Sequence, residues 1–261
     1  MKNYPIGIFD SGVGGLSVWK EVQKLLPHEH IIYLADSKNC PYGTKSEEEI
    51  IKLSIQNTNF LLKLNCKLII VACNTATAAG IDTLRKTYSV PFIGMEPAVK
   101  PAAEKSNTRK IGVLATKGTF EGRLFKETST KYAHNVDQII QIGTGLVELV
   151  EQGLIDSEQS KNLLTKHLKP MLDAGVDHIV LGCTHYPFFI PQMRKLIPEH
   201  IKLIDPAPAI AQRTLVVLNE NGLENDTGEP TYQFFSSGNG QNLQNLIKEI
   251  TGKEYTVNKV Y

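Results

Sequence analysis

The sequence predicts an α/β fold of two similar domains. Each has a mainly parallel central sheet flanked by helices, and a pseudo-two-fold axis relates them. Three observations carry that expectation. Short apolar runs rich in Ile and Val alternate with helical patterns along the whole chain. Two pairs of segments repeat across the halves. Proline-bearing, polar stretches fall where the halves would join.

The strand candidates, in order, are 6–9 (IGIF), 31–35 (IIYLA), 68–72 (LIIVA), 111–115 (IGVLA), 138–142 (QIIQI), 178–182 (HIVLG) and 201–204 (IKLI). Continuous apolar runs of this length match buried parallel strands rather than half-exposed ones. Between them, Trp19, Val22, Leu25 and Leu26 mark one helix by their spacing. A second opens at Ser46 with Glu49 three residues on, a capping box. A third follows Asp156 and ends at Gly175, a residue suited to a helix C-terminus. Strands alternating with such helices imply right-handed crossovers and parallel pairing.

Segment 5–15 (PIGIFDSGVGG) resembles 110–120 (KIGVLATKGTF), and 68–78 (LIIVACNTATA) resembles 178–188 (HIVLGCTHYPF). The first likeness is open to two readings, a true repeat or the Ile, Val and Gly that any two α/β strands share. The second goes further, because both members end on Cys followed by Asn-Thr or Thr-His. The boundary is expected within 94–110, with a return crossing near 205–212. The first domain then comprises 1–97 plus 207–261, rejoined by a C-terminal strand and helix, and the second comprises 98–206.

Composition excludes several classes. The 261 residues are 41% hydrophobic, enough for sizeable cores, and 28 Lys and Arg balance 27 Asp and Glu, for a formal charge of +1. No basic run draws in a nucleic acid or an anionic membrane. The N-terminus lacks an apolar targeting segment, and no apolar run spans a membrane. The expected location is the cytoplasm. With the first strand expected to begin by residue 6, no N-terminal extension for a regulatory segment is expected. Cys40, Cys66, Cys73 and Cys183 show no C-x-x-C and no zinc spacing, so free thiols and no metal are expected.

Open parallel sheets bind ligands outside the carboxyl ends of their strands, where Asp10, Cys73 and Cys183 all fall. A thiol at a helix N-terminus has its thiolate favoured. Thr75 and Thr184 are candidates to cap the following helices, and Pro187 suits a first helical turn. A lone strand-end Cys is usually a small core hydrophobe, but a matched pair points to chemistry. A redox couple, a nucleophile with a base, or two acid–base groups are the uses open to such a pair. C-x-x-C proximity is absent, and nothing like His185 follows Cys73, so the symmetric arrangement fits the third use best. Inverting a stereocentre needs a base on one face of the carbon and an acid on the other, and thiol and thiolate supply both. Asp10 also suits an N-cap, and Glu151 a solvated helix face. The amides of DSGVGG can hold a carboxylate, though the loop lacks the Lys of a P-loop. Cys40 and Cys66 read as structural.

The blocks FDSGVGGLSV, YLADSKNCPYG, VACNTATA, LVELVEQG, LGCTHYPF and LIDPA, in this order across nearly the whole chain, resemble the glutamate racemases of the cofactor-independent aspartate/glutamate racemase superfamily. That resemblance implies an acid–base pair of Cys73 and Cys183, one for each enantiomer of glutamate. It implies Asp10, His185 and Glu151 as assisting groups. The implied substrate contacts are Asp10, Ser11, Tyr42, Gly43, Asn74, Thr75, Thr184 and His185. It further implies no cofactor, a homodimer, a site between two α/β domains, and D-glutamate provided for peptidoglycan. The rival readings are a racemase for another amino acid, aspartate above all, and a flavodoxin-like nucleotide-binding or two-lobed ligand-binding protein without catalysis.

Overall fold

The computed structural model describes residues 2–96 and 98–260. Pro97, where the sequence ends the first segment of its first domain, lies outside them. The strands run in chain order as β1 Ile6–Asp10, β2 Ile31–Ala35, β3 Leu68–Val71, β4 Phe92–Gly94, β5 Lys110–Ala115, β6 Asp137–Ile142, β7 His178–Gly182, β8 Lys202–Ile204, β9 Tyr232–Ser236 and β10 Val257–Lys259. They form a six-stranded sheet of order β10-β9-β2-β1-β3-β4 and a four-stranded sheet of order β6-β5-β7-β8. Every pairing is parallel. Helices flank both sheets, as the alternation of elements requires.

The two sheets share one winding pattern. β2-β1-β3-β4 in the first is matched by β6-β5-β7-β8 in the second. Ile6 pairs with Leu68, and Ile111 with His178. Cys73 therefore stands five positions past Leu68 and Cys183 five past His178, so the two thiols occupy equivalent places beyond equivalent strands. The first repeat also aligns, through Ile6 and Ile111, which makes Ala115 the counterpart of Asp10. The thiol is duplicated; the carboxylate is not.

β1, β2, β3 and β7 are wholly buried. β6 corrects the expectation of a buried strand at 138–142: it is an edge, with Ile140 46% and Ile142 44% exposed. β4 was not foreseen, because three residues between Pro91 and Met95 carry too little pattern to register. The helix Leu16–Leu25 buries Trp19 and Val22, while Leu25 faces solvent and Leu26 lies buried just past its end. Ser46 caps Glu47–Lys63 by accepting the Glu49 N–H at 3.2 Å. Ser157 opens Glu158–Asp173, and Gly175, at φ +75°, closes it in the left-handed conformation.

One apolar core runs through both sheets, bringing Ile8 and Ile70 into a cluster with Leu114 and Ile179. Helix Leu16–Leu25, which follows β1, packs on Ala207–Glu220, the helix after β8. Among the described residues no helix is long and apolar enough to cross a membrane.

Candidate active site

The carboxyl ends of β1, β3 and β7 converge, and the loops leaving them carry the chemistry. Asp10, Ser11, Cys73, Asn74, Thr75, Cys183, Thr184 and His185 are all buried, none more than 7% exposed. A cavity of about 590 Å3 reaches Thr75 from outside, between helix Asn74–Thr87 and the helices beginning at Lys117 and Arg123.

Asp10 organises the glycine-rich loop. Its Oδ2 accepts the N–H groups of Gly15 at 3.0 Å and Gly12 at 3.3 Å. The Val13 N–H donates to Glu151 Oε1 at 2.7 Å. The expectation that these amides are open to a ligand carboxylate is thus corrected at three positions, since protein carboxylates hold them. A buried loop must satisfy its own N–H groups, and these two acids do so. Tyr33 Oη fixes the same loop by donating to the Gly12 carbonyl at 2.8 Å.

Cys73 is itself the cap of helix Asn74–Thr87, accepting the Ala76 N–H at 3.4 Å, and its Sγ lies 3.8 Å from Ser11 Oγ. Thr75, one of the two capping candidates, instead sits inside the first turn and meets Thr116 Oγ1 at 2.9 Å. Thr184, the other, makes no cap; its Oγ1 donates to Asp10, 3.3 Å from Oδ1. Ser17 Oγ donates to the Thr184 carbonyl at 3.0 Å. Pro187 occupies the opening of the short turn Tyr186–Phe189.

On the second side, Cys183 Sγ lies 3.7 Å from His185 Nδ1. His185 Nε2 donates to Glu151 Oε1 at 2.7 Å. Glu151 ends helix Leu146–Glu151, so it faces this imidazole rather than open solvent. Tyr42 is also buried, but its hydroxyl is engaged, donating to Asp36 at 2.5 Å and accepting from Asn57 at 3.1 Å. Gly43 faces Thr116 across the gap between the sheets, where a Cβ would come within 3.1 Å of the Thr116 Cβ.

Asn74 is the exception to this pairing. Both its amide oxygen and its amide nitrogen are buried without a hydrogen-bond partner. Leaving such groups unpaired costs about 1–3 kcal/mol each, so the side chain is suited to a ligand that supplies the missing donor and acceptor.

Burial dominates the electrostatics. It raises the Cys73 thiol well above its ordinary value; the Asp10 charge adds to this, and the Ala76 N–H opposes it without prevailing. The expected preference for thiolate at this helix start is therefore reversed in the closed site, because desolvation outweighs one N–H. Asp10 is likewise raised by burial, against the pull of His185. Burial acts to lower His185, but its contacts with Cys183, Cys40 and Glu151 win and hold it well above its usual value.

Cys40 is the neighbour that sequence reasoning missed. Donor atoms of Cys40, Glu151 and His185 all lie within 4.8 Å of one another. Spacing rules see only ligands close in the chain, so this triad left no signal. Cys66 is elsewhere, buried beside Gly7 and Leu61.

Residues 11–214 match the Asp/Glu/hydantoin racemase family. A glutamate racemase of Herpetosiphon aurantiacus is 45% identical over 91% of this chain and 94% of its own. The crystal structure of a glutamate racemase isoform from Bacillus anthracis superposes with a TM-score of 0.91 at 30% identity, over all of this chain and 98% of that one. The Francisella tularensis glutamate racemase in complex with D-glutamate gives 0.86 at 29% identity, with the same coverage.

Proposed function

The chain belongs to the Asp/Glu/hydantoin racemase family, and from that membership we propose that it interconverts L- and D-glutamate without a cofactor, by proton transfer between two thiols. The observation that carries the reading is the equivalence of Cys73 and Cys183 beyond equivalent strands of two sheets of like order.

The Cys73 thiolate takes the α-hydrogen of one enantiomer as a proton, leaving the bonding pair on the α-carbon. The Cys183 thiol then delivers its own proton to the opposite face. The product leaves Cys73 as thiol and Cys183 as thiolate, and the reverse passage starts from that state. A raised thiol pKa suits this work, since a desolvated thiolate is a stronger base toward a weak carbon acid. The α-ammonium of the substrate favours the thiolate form when it enters, as any near cation does. Asn74, with its free donor and acceptor, is assigned to the amino-acid head group, alongside Ser11, Thr75, Thr184 and the backbone at Tyr42 and Gly43. Asp10 orders the loop on the Cys73 side, and His185 with Glu151 supports Cys183. Hydrogen-bond donors around the α-carboxylate stabilise the carbanionic species. Both thiols are buried behind the cavity that reaches Thr75, so the two halves part to admit substrate to them.

The reading extends to a first domain of 1–97 with 207–261 and a second of 98–206, to a homodimer, and to cytoplasmic supply of D-glutamate for peptidoglycan. That β9 and β10 join the first sheet supports the domain division. The test is racemisation in deuterium oxide, started from each enantiomer of glutamate and of aspartate. Product glutamate carrying solvent deuterium at the α-carbon from its first turnovers is expected. Inversion with the α-hydrogen retained, or faster turnover of aspartate, would overturn the proposal.

A further inference from the structure

The triad Cys40, Glu151 and His185 supplies a thiol, a carboxylate and an imidazole from three separate segments, with donor atoms no more than 4.8 Å apart. Burial pushes the Cys40 thiol up to about 11, and a bound cation draws off its proton. Tetrahedral zinc is bound at about 2.0–2.3 Å, which places its ligand atoms roughly 3.3–3.8 Å from one another. A shift of about an ångström in side-chain position brings these three to that geometry. Glu151 keeps 19% of its side chain exposed and Cys40 is half-buried, so both lie on the solvent side of the sealed His185. An ion arriving from outside meets them before it meets Cys73 or Cys183. Thiolate with imidazole selects zinc and similar thiophilic ions over magnesium or calcium, which prefer all-oxygen sites.

The geometry points to an inhibitory binding site for a thiophilic divalent cation on Cys40, His185 and Glu151, completed by water. Binding releases the Cys40 thiol proton and the proton that His185 shares with Glu151, and the ion takes their place. His185 and Glu151 are then withdrawn from Cys183, and turnover stops. The binding itself needs only the triad; its effect on turnover rests on the racemase reading.

Cobalt(II) is the probe. Titrated into the reduced full-length protein, it is expected to give a thiolate-to-cobalt charge-transfer band with the visible bands of tetrahedral coordination. Cys40→Ser and Cys40→Ala should each lose the charge-transfer band while remaining folded by far-ultraviolet circular dichroism, and Cys66→Ser should keep it. Zinc should inhibit wild-type racemisation reversibly, with EDTA restoring it. The half-inhibitory concentration should rise at least tenfold in both Cys40 variants, each compared with its own metal-free rate. A band that survives in both Cys40 variants but disappears in Cys183→Ser would put the ion on the acid–base thiols and overturn the site. Equal zinc inhibition of wild type and Cys40 variants would overturn the inhibitory role. A metal-free wild type that fails to racemise glutamate would sink the proposed function instead, and leave the cobalt spectra to judge the site.

Discussion

Glu151 Oε1 stands 2.7 Å from His185 Nε2 and accepts the Val13 N–H at the same distance, so one carboxylate oxygen joins the imidazole beside Cys183 to the glycine loop that Asp10 holds beside Cys73. Glu151→Gln keeps the size and removes the charge. With one of the three contacts that raise His185 weakened, its pKa should fall, read by NMR titration of the imidazole. Turnover should fall by roughly a hundredfold, the low end of what a positioned acid–base group contributes. The two enantiomers of glutamate have equal free energy, so kcat/KM must fall equally in both directions. Any asymmetry appears only in kcat and KM taken separately and in the α-deuterium isotope effects. A variant with wild-type turnover and an unmoved imidazole would remove Glu151 from the machinery.

The same equality governs the thiols. Cys73→Ser and Cys183→Ser should each lose racemisation by roughly a hundredfold to ten-thousandfold in both directions while melting close to wild type. Exchange without inversion is free of that constraint. The thiol left in each variant can still take a hydrogen from its own face, trade it with solvent and return it. Each variant should therefore wash deuterium into one enantiomer only, the opposite one in the two cases, as NMR of the α-proton would show. Near wild-type racemisation in either variant would end the two-thiol account.

The strand ends and the paired thiols were legible because both are local patterns: an apolar run, then Cys, then polar residues, seen twice. What stayed hidden depends on residues far apart in the chain. Val13 meets Glu151 across 138 positions and Thr184 meets Asp10 across 174. No window of sequence could show that the loop amides would be consumed by protein carboxylates. Cys40 looked structural because its partners lie beyond any spacing rule. β6 looked buried because an Ile-rich run reads alike at a sheet centre and at an edge, where packing alone decides exposure. The cap at Ser46 was legible because the Glu49 N–H it accepts lies three residues on, although the Glu49 carboxylate pairs with Lys45 rather than closing the box.

Gly14 sets how closely the loop approaches the second half of the site. A Cβ there would lie 2.6 Å from His185 Cε1 and from Thr184 Oγ1. Gly14 does not have a positive φ, so alanine adds no backbone strain and the insult falls on these two side chains. Gly14→Ala should displace the imidazole from its place 3.7 Å from Cys183 and lower turnover roughly a hundredfold, as an ångström of misplacement does. The cost in stability should be about 1–3 kcal/mol, from denaturant melts. Unimpaired turnover would show that the loop yields freely.

Asp177 supports the fold away from the chemistry and fixes how stability depends on acidity. It accepts from Ser106 Oγ at 2.7 Å, from the Asn107 and Thr108 N–H groups at 2.6 and 2.9 Å, and from His178 Nδ1 at 2.9 Å, tying the turn before β5 to the start of β7. Burial would raise its pKa, but the hydrogen bond with His178 and those from Thr108, Ser106 and Asn107 prevail and hold it well below the usual carboxylate range. A carboxyl lowered in the folded state stabilises fully above its unfolded pKa of about 3.9, and that contribution is lost as pH falls through the lower folded value. Asp177→Asn presents an amide to donors that need an acceptor, so near neutrality it should be about 1–3 kcal/mol less stable than wild type. Below about pH 4 the wild type protonates on unfolding and loses its advantage, and the two stabilities should converge. Denaturant melts from pH 7 down to pH 3 measure the gap; a gap constant across that range would mean that the charge on Asp177 contributes nothing.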